Sequence, residues 1–319
     1  MRTMLRYDVI IMGDTLASLV QAGAEGSWTK LKALVLDSVS AENSKRLYGM
    51  ALDAFHNWYF AEPRPAFGKA LVQQYRTVLE HQAYAPSTIG LHLSAIRKLA
   101  TEAADNGLLD PQIAAGVCRI RGPRRLGRRI GNWLSAAQAA GLINAPEHQT
   151  LKGMRDQAIL AVAVGCGLRR SEIASLTLDH LQVREGRWII ADLMGKHRRI
   201  RSVPIPVWVK TRLDNWLIQA KLSTGRIFRA LNKSDVLTSD RMTSQAVYEV
   251  IKTYGSRLSL PIAPHDLRRT FAKLAYAADA RVEQIQYSLG HSSAATTALY
   301  LGLQQDLVKS PGDRIALPL

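Results

Sequence analysis

Six arginines fall between residues 119 and 129, interleaved with Gly122, Pro123 and Gly127. A core cannot absorb that density of charge, and the glycines and proline deny the stretch a regular element. The chain is therefore expected to divide there. Its 319 residues exceed the size at which single cores usually stop growing, and 47% apolar residues are enough for two. The expected order is an extension over residues 1–30, a helical domain over 31–118, a basic linker over 119–132 and a second domain over 133–319.

Charge narrows the class of partner. Against 26 Asp and Glu stand 42 Lys and Arg, a formal net charge of +16. An excess of that size attracts polyanions, so nucleic acid is the leading expected partner and a membrane surface its rival. No membrane is expected, because apolar runs such as residues 158–164 are too short to span a bilayer. A cytoplasmic, nucleoid-associated location follows as an expectation. Only Cys118 and Cys166 are present, with no Cys or His at zinc spacing, so neither a disulfide, a metal nor a cofactor is expected.

The pattern of residues 31–117 is that of successive helices, with apolar side chains recurring through Leu47, Met50, Ala51, Ala54, Phe55 and Trp58. Pro86 suits a helix start, Ile89, Leu93, Ile96, Leu99 and Ala100 form the stripe behind it, and Asn106-Gly107 stops it. The polar flank of this helix offers Ser87, Thr88, His92, Arg97 and Lys98. Further helices are predicted over 135–143 and 154–164, and from about 207 and 244. Between them, residues 187–192 and 200–205 are rich in branched side chains and form a predicted hairpin, with Lys196 near its tip.

Several polar residues are not explained by packing. His265 and Arg268 lie three apart behind Pro264 and project from one helical face, with Leu267, Phe271 and Leu274 on the other. Arg169 follows Gly165-Cys166-Gly167-Leu168, where glycines let one helix end and the next begin, and Glu172 is placed to orient its guanidinium. Leu289-Gly290-His291 comes later, and Tyr300 nine residues after that. Taken singly, each reads as an ordinary surface or packing residue. Together they suit attack on a phosphodiester. A phenol has a pKa near 10, so about one in a thousand is ionised at pH 7, and a tyrosine nucleophile needs cations beside it. Guanidiniums match phosphate as planar forks. Neither a Gly-rich Lys-Ser/Thr phosphate loop nor a carboxylate cluster for two-metal chemistry is present in the sequence.

In order and spacing, Arg169 with Glu172, Lys196 in a hairpin, His265 with Arg268, Gly290-His291 and Tyr300 resemble the tyrosine recombinases, or phage integrase family. The resemblance extends from about residue 31 onward and is looser in the N-terminal part, through Asn43-Ser44-Lys45 and Pro86-Ser87-Thr88. It implies a mainly α chain of two domains, an N-terminal helical core-binding (SAM-like) bundle and a C-terminal α+β catalytic domain with a small antiparallel sheet. It also implies that Tyr300 is the nucleophile, that Arg169 and Arg268 clamp the scissile phosphate, and that His291 adds a hydrogen bond. Lys196 would protonate the leaving 5'-oxygen, His265 would assist proton transfer at the tyrosine, and Glu172 would support the arginine site.

DNA contacts are expected from Ser44, Lys45, Ser87, Thr88, Arg97, Lys98, Arg121, Arg124, Arg125 and His197. The implied assembly is a homotetramer on two sites, a dimer on each, exchanging strands through a Holliday junction. Cys166, Arg269 and Gly302 depart from the threonine and two histidines frequent in the family at those places. The tail, with Leu303, Leu307 and Val308, is expected to dock on a neighbouring protomer or on its own domain. Two alternatives stay open at this point: a DNA-binding architectural protein that does not cleave, and a type IB topoisomerase-like relaxing enzyme.

Overall fold

The computed structural model describes residues 25–123, 132–195, 200–291 and 293–302. They form two compact units on either side of residues 124–131. Most of the expected N-terminal extension, Arg124, Arg125, Lys196, His197 and the tail beyond residue 302 lie outside the described residues. No described helix is long and apolar enough to cross a membrane.

The first unit contains α1 (Glu25–Asp37), α2 (Glu42–Phe60), α3 (Lys69–His81), α4 (Pro86–Asp105) and α5 (Pro111–Cys118). Pro86 takes the first position of α4, where its missing N–H costs nothing, and the helix ends at Asn106 before Gly107. Ile89, Leu93, Ile96, Leu99 and Ala100 are buried along it, as their spacing predicts. Phe55 of α2 is an aromatic hub, in ring contact with Trp58, Tyr59, Phe67 and Tyr75.

The expected stripe on α2 needs correction. Met50 is 59% exposed and Ala54 also faces solvent. The buried face runs through Ala51, Leu52, Phe55 and Tyr59, because Leu52 rather than Met50 keeps helical register with the aromatics. His92 is half-buried on its helix, with its Nδ1 2.9 Å from Tyr75 Oη. Helix α1 begins at Glu25, ahead of the expected edge at 31, and Ile120 is buried in the first core, beyond the expected edge at 118.

The second unit begins with α6 (Ala136–Asn144), started by a capping box between Ser135 and Gln138. Helix α7 (Leu151–Gly165) is the centre of this unit, with residues 158–164 all buried. Helices α6, α9 (Val207–Gln219) and α11 (Pro264–Ala277) pack around it. The short helix α8 (Arg170–Ser175) leads into an antiparallel sheet of β1 (Leu181–Arg184), β2 (Arg187–Met194) and β3 (Ile200–Pro204), in that order. The predicted hairpin is β2 and β3. Strand β1 adds to it, with Leu181 opposite Ile190 and Ile190 opposite Val203.

Helices α10 (Ser244–Arg257), α12 (Val282–Leu289) and α13 (Ala294–Leu301) complete the described chain. A small separate core of Ala272, Ile285, Leu289 and Leu301 joins α11, α12 and α13. Each fully buried leucine there contributes about 1.5–3 kcal/mol. Lys273 Nζ donates to Leu301 O at 2.7 Å, which ties the end of α13 to α11. These contacts fix the helix that carries Tyr300.

Candidate active site

The turn between α7 and α8 depends on Gly167. Its φ of +60° is left-handed, and a Cβ there would lie 2.7 Å from the Phe271 ring, so a side chain is excluded on two grounds. The turn delivers Arg169 to the start of α8 with Glu172 one helical turn on. Glu172 accepts Arg169 backbone N–H at 2.8 Å through Oε2 and Arg169 Nη1 at 2.8 Å through Oε1.

A third partner comes from the sheet. Arg201 on β3 donates from Nη1 to Glu172 Oε1 at 2.9 Å and from Nη2 to Oε2 at 2.8 Å. Burial alone would raise the Glu172 carboxyl, but the Arg201 fork, the Arg169 N–H and the Arg169 charge outweigh it and bring the group down to about 2. Arg201 is not among the predicted site residues. Strand alternation was the available signal, since Arg201 shares its face with buried Val203 while Ile200 and Ser202 face out.

Arg268, in the first turns of α11, is 1% exposed, which corrects the expected separation of this arginine from the packed interior. Its Nη1 donates to Gly167 O at 2.6 Å and its Nη2 to Leu289 O, joining the α7–α8 turn to the end of α12. A guanidinium with carbonyl partners can be buried where a bare charge cannot. Burial and the charge of Arg169 nevertheless lower it to about 9. Its Nε is buried without a partner.

Gly290 ends α12 in the left-handed region with φ of +60°, and His291 follows. His291 Nδ1 lies 3.0 Å from the hydroxyl of Thr297, which is fully buried and was not anticipated from sequence. Burial, with Arg268 and Arg169 nearby, lowers His291 to about 4, so its ring is neutral at pH 7.

Tyr300 is half-buried near the end of α13, and its Oη meets His265 Nε2. Its ring stands edgewise to His265 and His291, with centroids 5.3 Å and 4.8 Å away. Arg269 places its Cζ 5.1 Å from the centre of the same ring and pairs with Asp266 at 3.2 Å. Burial raises the phenol above its ordinary value, and the charges of Arg268, Arg269 and Arg169 oppose that rise without cancelling it. The resting group is therefore a neutral phenol. Burial, followed by Arg268 and Arg269, lowers His265. A neutral imidazole accepts from the tyrosine hydroxyl, as general-base chemistry requires.

Six predicted residues thus come together: Arg169, Glu172, His265, Arg268, His291 and Tyr300. Cys166 caps α7 in full burial, which pushes its thiol up to about 12 and leaves it an unreactive packing group. The predicted DNA contacts are more mixed. Ser44 and Lys45 lie in the first turn of α2, where Lys45 pairs with Glu42 at 3.6 Å. Ser87 is exposed and Thr88 half-buried at the start of α4. Arg97 donates to Ile120 O, Lys98 pairs with Glu102 at 2.8 Å, and Arg121 is exposed.

Residues 132–306 match the model of the phage integrase family. A curated relative, tyrosine recombinase XerD of Pseudomonas putida, is 31% identical over 286 residues, covering 85% of this chain and 90% of its own. Tyrosine recombinase XerC of Thermodesulfovibrio yellowstonii is 28% identical, with 85% and 89% covered. Among solved structures, a lambda integrase dimer bound to a COC' core site is similar with a TM-score of 0.66 at 16% identity, over 89% of this chain and 80% of that one. XerH bound to palindromic difH substrate in a post-cleavage complex gives 0.65 at 16% identity, over 92% and 91%. At those identities the structural likeness establishes the fold.

Proposed function

Because this chain belongs to the phage integrase family and is a tyrosine recombinase, we propose that it cuts and rejoins double-stranded DNA through a 3'-phosphotyrosyl intermediate formed by Tyr300. The observation that carries the reading is the contact of Tyr300 Oη with His265 Nε2, in a cluster that also contains Arg169, Arg268 and His291. Tyr300 Oη attacks the scissile phosphorus, the bond from phosphorus to the 5'-oxygen breaks, and a 5'-hydroxyl leaves. His265 takes the phenolic proton, and Lys196 supplies one to the departing oxygen. Arg169 and Arg268 stabilise the charge that gathers on the non-bridging oxygens, with a hydrogen bond from His291. One ester forms for each one broken, so rejoining needs no ATP.

The phenol is held above its ordinary pKa before DNA binds. Protonated Tyr300 is thus the resting form, and deprotonation is coupled to attack. DNA is gripped by both units, with phosphate contacts from Lys45, Ser87, Thr88, Lys98, Arg121, Arg124, Arg125 and His197 setting position rather than sequence. Ser44 and Arg97 belong to the same surfaces. The working assembly is a tetramer on two sites, a dimer on each, that exchanges strands through a Holliday junction.

A nicked suicide substrate tests the reading. Covalent protein is expected on the 3' end, absent with Tyr300→Phe, and two sites in one reaction are expected to give recombinant product. DNA binding without any trapped adduct would overturn the cleavage step.

A further inference from the structure

Arg201 is tied to two elements of the site although no role has been assigned to it. Its guanidinium spans both oxygens of Glu172 at 2.8 and 2.9 Å, and its Nε donates to Ser288 O at 2.9 Å. Its side chain is only 9% exposed and that of Glu172 6%. A planar fork that uses three N–H groups on a carboxylate and a carbonyl has one geometry, which lysine cannot reproduce.

Arg201 and its two partners lie on three different elements. Glu172 sits in α8 and holds Arg169 by backbone and side chain. Ser288 lies in the last turn of α12, which ends in Gly290 and leads to His291. Arg201 itself is on β3, five residues after Lys196 in the sequence. The packing at Gly290 is as tight as the hydrogen bonding: a Cβ there would lie 2.9 Å from Arg201 Cδ. Glycine at this position therefore answers both a left-handed φ and the room taken by the Arg201 stem.

We propose that Arg201 is a positioning residue that locks β3, the Arg169–Glu172 pair and the turn carrying His291 into one register. This rests on the recombinase reading above, because it assumes that Arg169 and His291 bind the scissile phosphate. Arg201 hydrogen-bonds Glu172 and Ser288 rather than Tyr300. It acts through Glu172 and through the α12 carboxyl end. A misplacement of catalytic groups by about 1 Å costs roughly a hundredfold in rate, so the expected loss falls on the chemical step.

Single-turnover cleavage of the nicked substrate at saturating protein, with DNA affinity measured in parallel, tests this. Arg201→Gln is expected to slow cleavage by about tenfold to a hundredfold while the Kd stays within about twofold. Glu172→Gln is expected to do the same. The double variant should be no more than about threefold slower than the worse single one, because residues in one network are not additive. A residue that merely stabilises the fold would give additive losses that track the fraction unfolded. Arg201→Lys keeps the charge and serves if the glutamine variant does not fold, and it should also be slowed by about tenfold for want of the fork. Wild-type cleavage rates in Arg201→Lys, or additive losses in the double variant, would overturn the assignment. Adduct formation by the unaltered chain separates the two levels: its absence sinks the recombinase reading and this inference together. Adduct formed undiminished by Arg201→Gln sinks this inference alone.

Discussion

Among the described residues, two tyrosines meet histidines through their hydroxyls, one in each unit. Tyr75 Oη lies 2.9 Å from His92 Nδ1 in the first core, and Tyr300 Oη meets His265 in the second unit. Burial acts on both pairs in the same sense, raising the phenol and lowering the imidazole. The surroundings differ. Near Tyr75 the further influence is Tyr84, which raises it again, whereas Arg268, Arg269 and Arg169 all pull Tyr300 down. A tyrosine and a histidine in contact are thus a packing pair in one place and the proposed nucleophile and base in the other. The arginines are what sets the second pair apart.

The sharpest way to break that comparison is to remove both hydroxyls in turn. Tyr300→Phe is expected to reduce trapped DNA adduct to background with no loss of DNA affinity. Tyr75→Phe should leave adduct formation intact and cost about 1 kcal/mol of stability, the usual worth of one buried hydrogen bond, read by chemical unfolding. Adduct that survives in Tyr300→Phe would place the nucleophile elsewhere and dissolve the distinction. A smaller effect is expected from the cations. Arg169→Lys keeps the charge but loses the fork, and cleavage should fall by about a hundredfold or more. A rate near wild type would mean that charge alone suffices at this position.

Much of this was open to reading along the chain, and the residues that were not share a reason. Arg169, His265, Arg268, His291 and Tyr300 stand at recognisable intervals beside Gly167, Pro264 and Gly290, whose backbone roles are local. Arg201 could not be picked from neighbouring Arg198 and Arg199 until β3 fixed which side chains face inward. Thr297 reads as one more small residue of α13 until His291 is seen against its hydroxyl. Strand β1, Leu-Gln-Val-Arg, is too short and polar to announce itself and exists because β2 pairs with it. Met50 and Ala54 fit a helical repeat, but the repeat that won was the one ending on Phe55 and Tyr59. His92 reads as a polar-face residue because Tyr75, its partner, lies on another helix.

The pH response sharpens the contrast between the units. His291 is lowered from 6.5 to about 4, so the unfolded chain binds more protons than the folded one between those values. Stability therefore rises with pH through that window and is lost as pH falls from about 6.5 toward 4. Glu172 works lower down: its folded carboxyl is near 2 against an ordinary 4.5, and its contribution is lost as pH falls through that interval. Proton NMR titration should show the His291 ring still neutral at pH 5.5, and His291→Asn should flatten the acid loss of stability above pH 4.5. The His92 ring should also titrate below its ordinary value, from burial alone. A His291 ring that titrates at its ordinary value would show that burial and the adjoining arginines do not act on it.

The smallest expected effect separates gripping from chemistry. If cations outside the site only hold the DNA backbone, removing them should change affinity and its salt dependence without touching the rate at saturation. Arg121 is exposed, and its carbonyl, which accepts from Arg76 Nη1 at 3.1 Å, survives replacement of the side chain. Arg121→Ala combined with Arg124→Ala should therefore leave the fold intact and flatten the slope of log affinity against log salt by roughly 0.9 for each phosphate no longer neutralised. Single-turnover cleavage at saturating protein should be unchanged. An unaltered slope would make residues 119–129 a connector only. A slower rate at saturation would mean that the segment shapes the site as well as the grip, and the division between a holding surface and a reacting one would fail at that point.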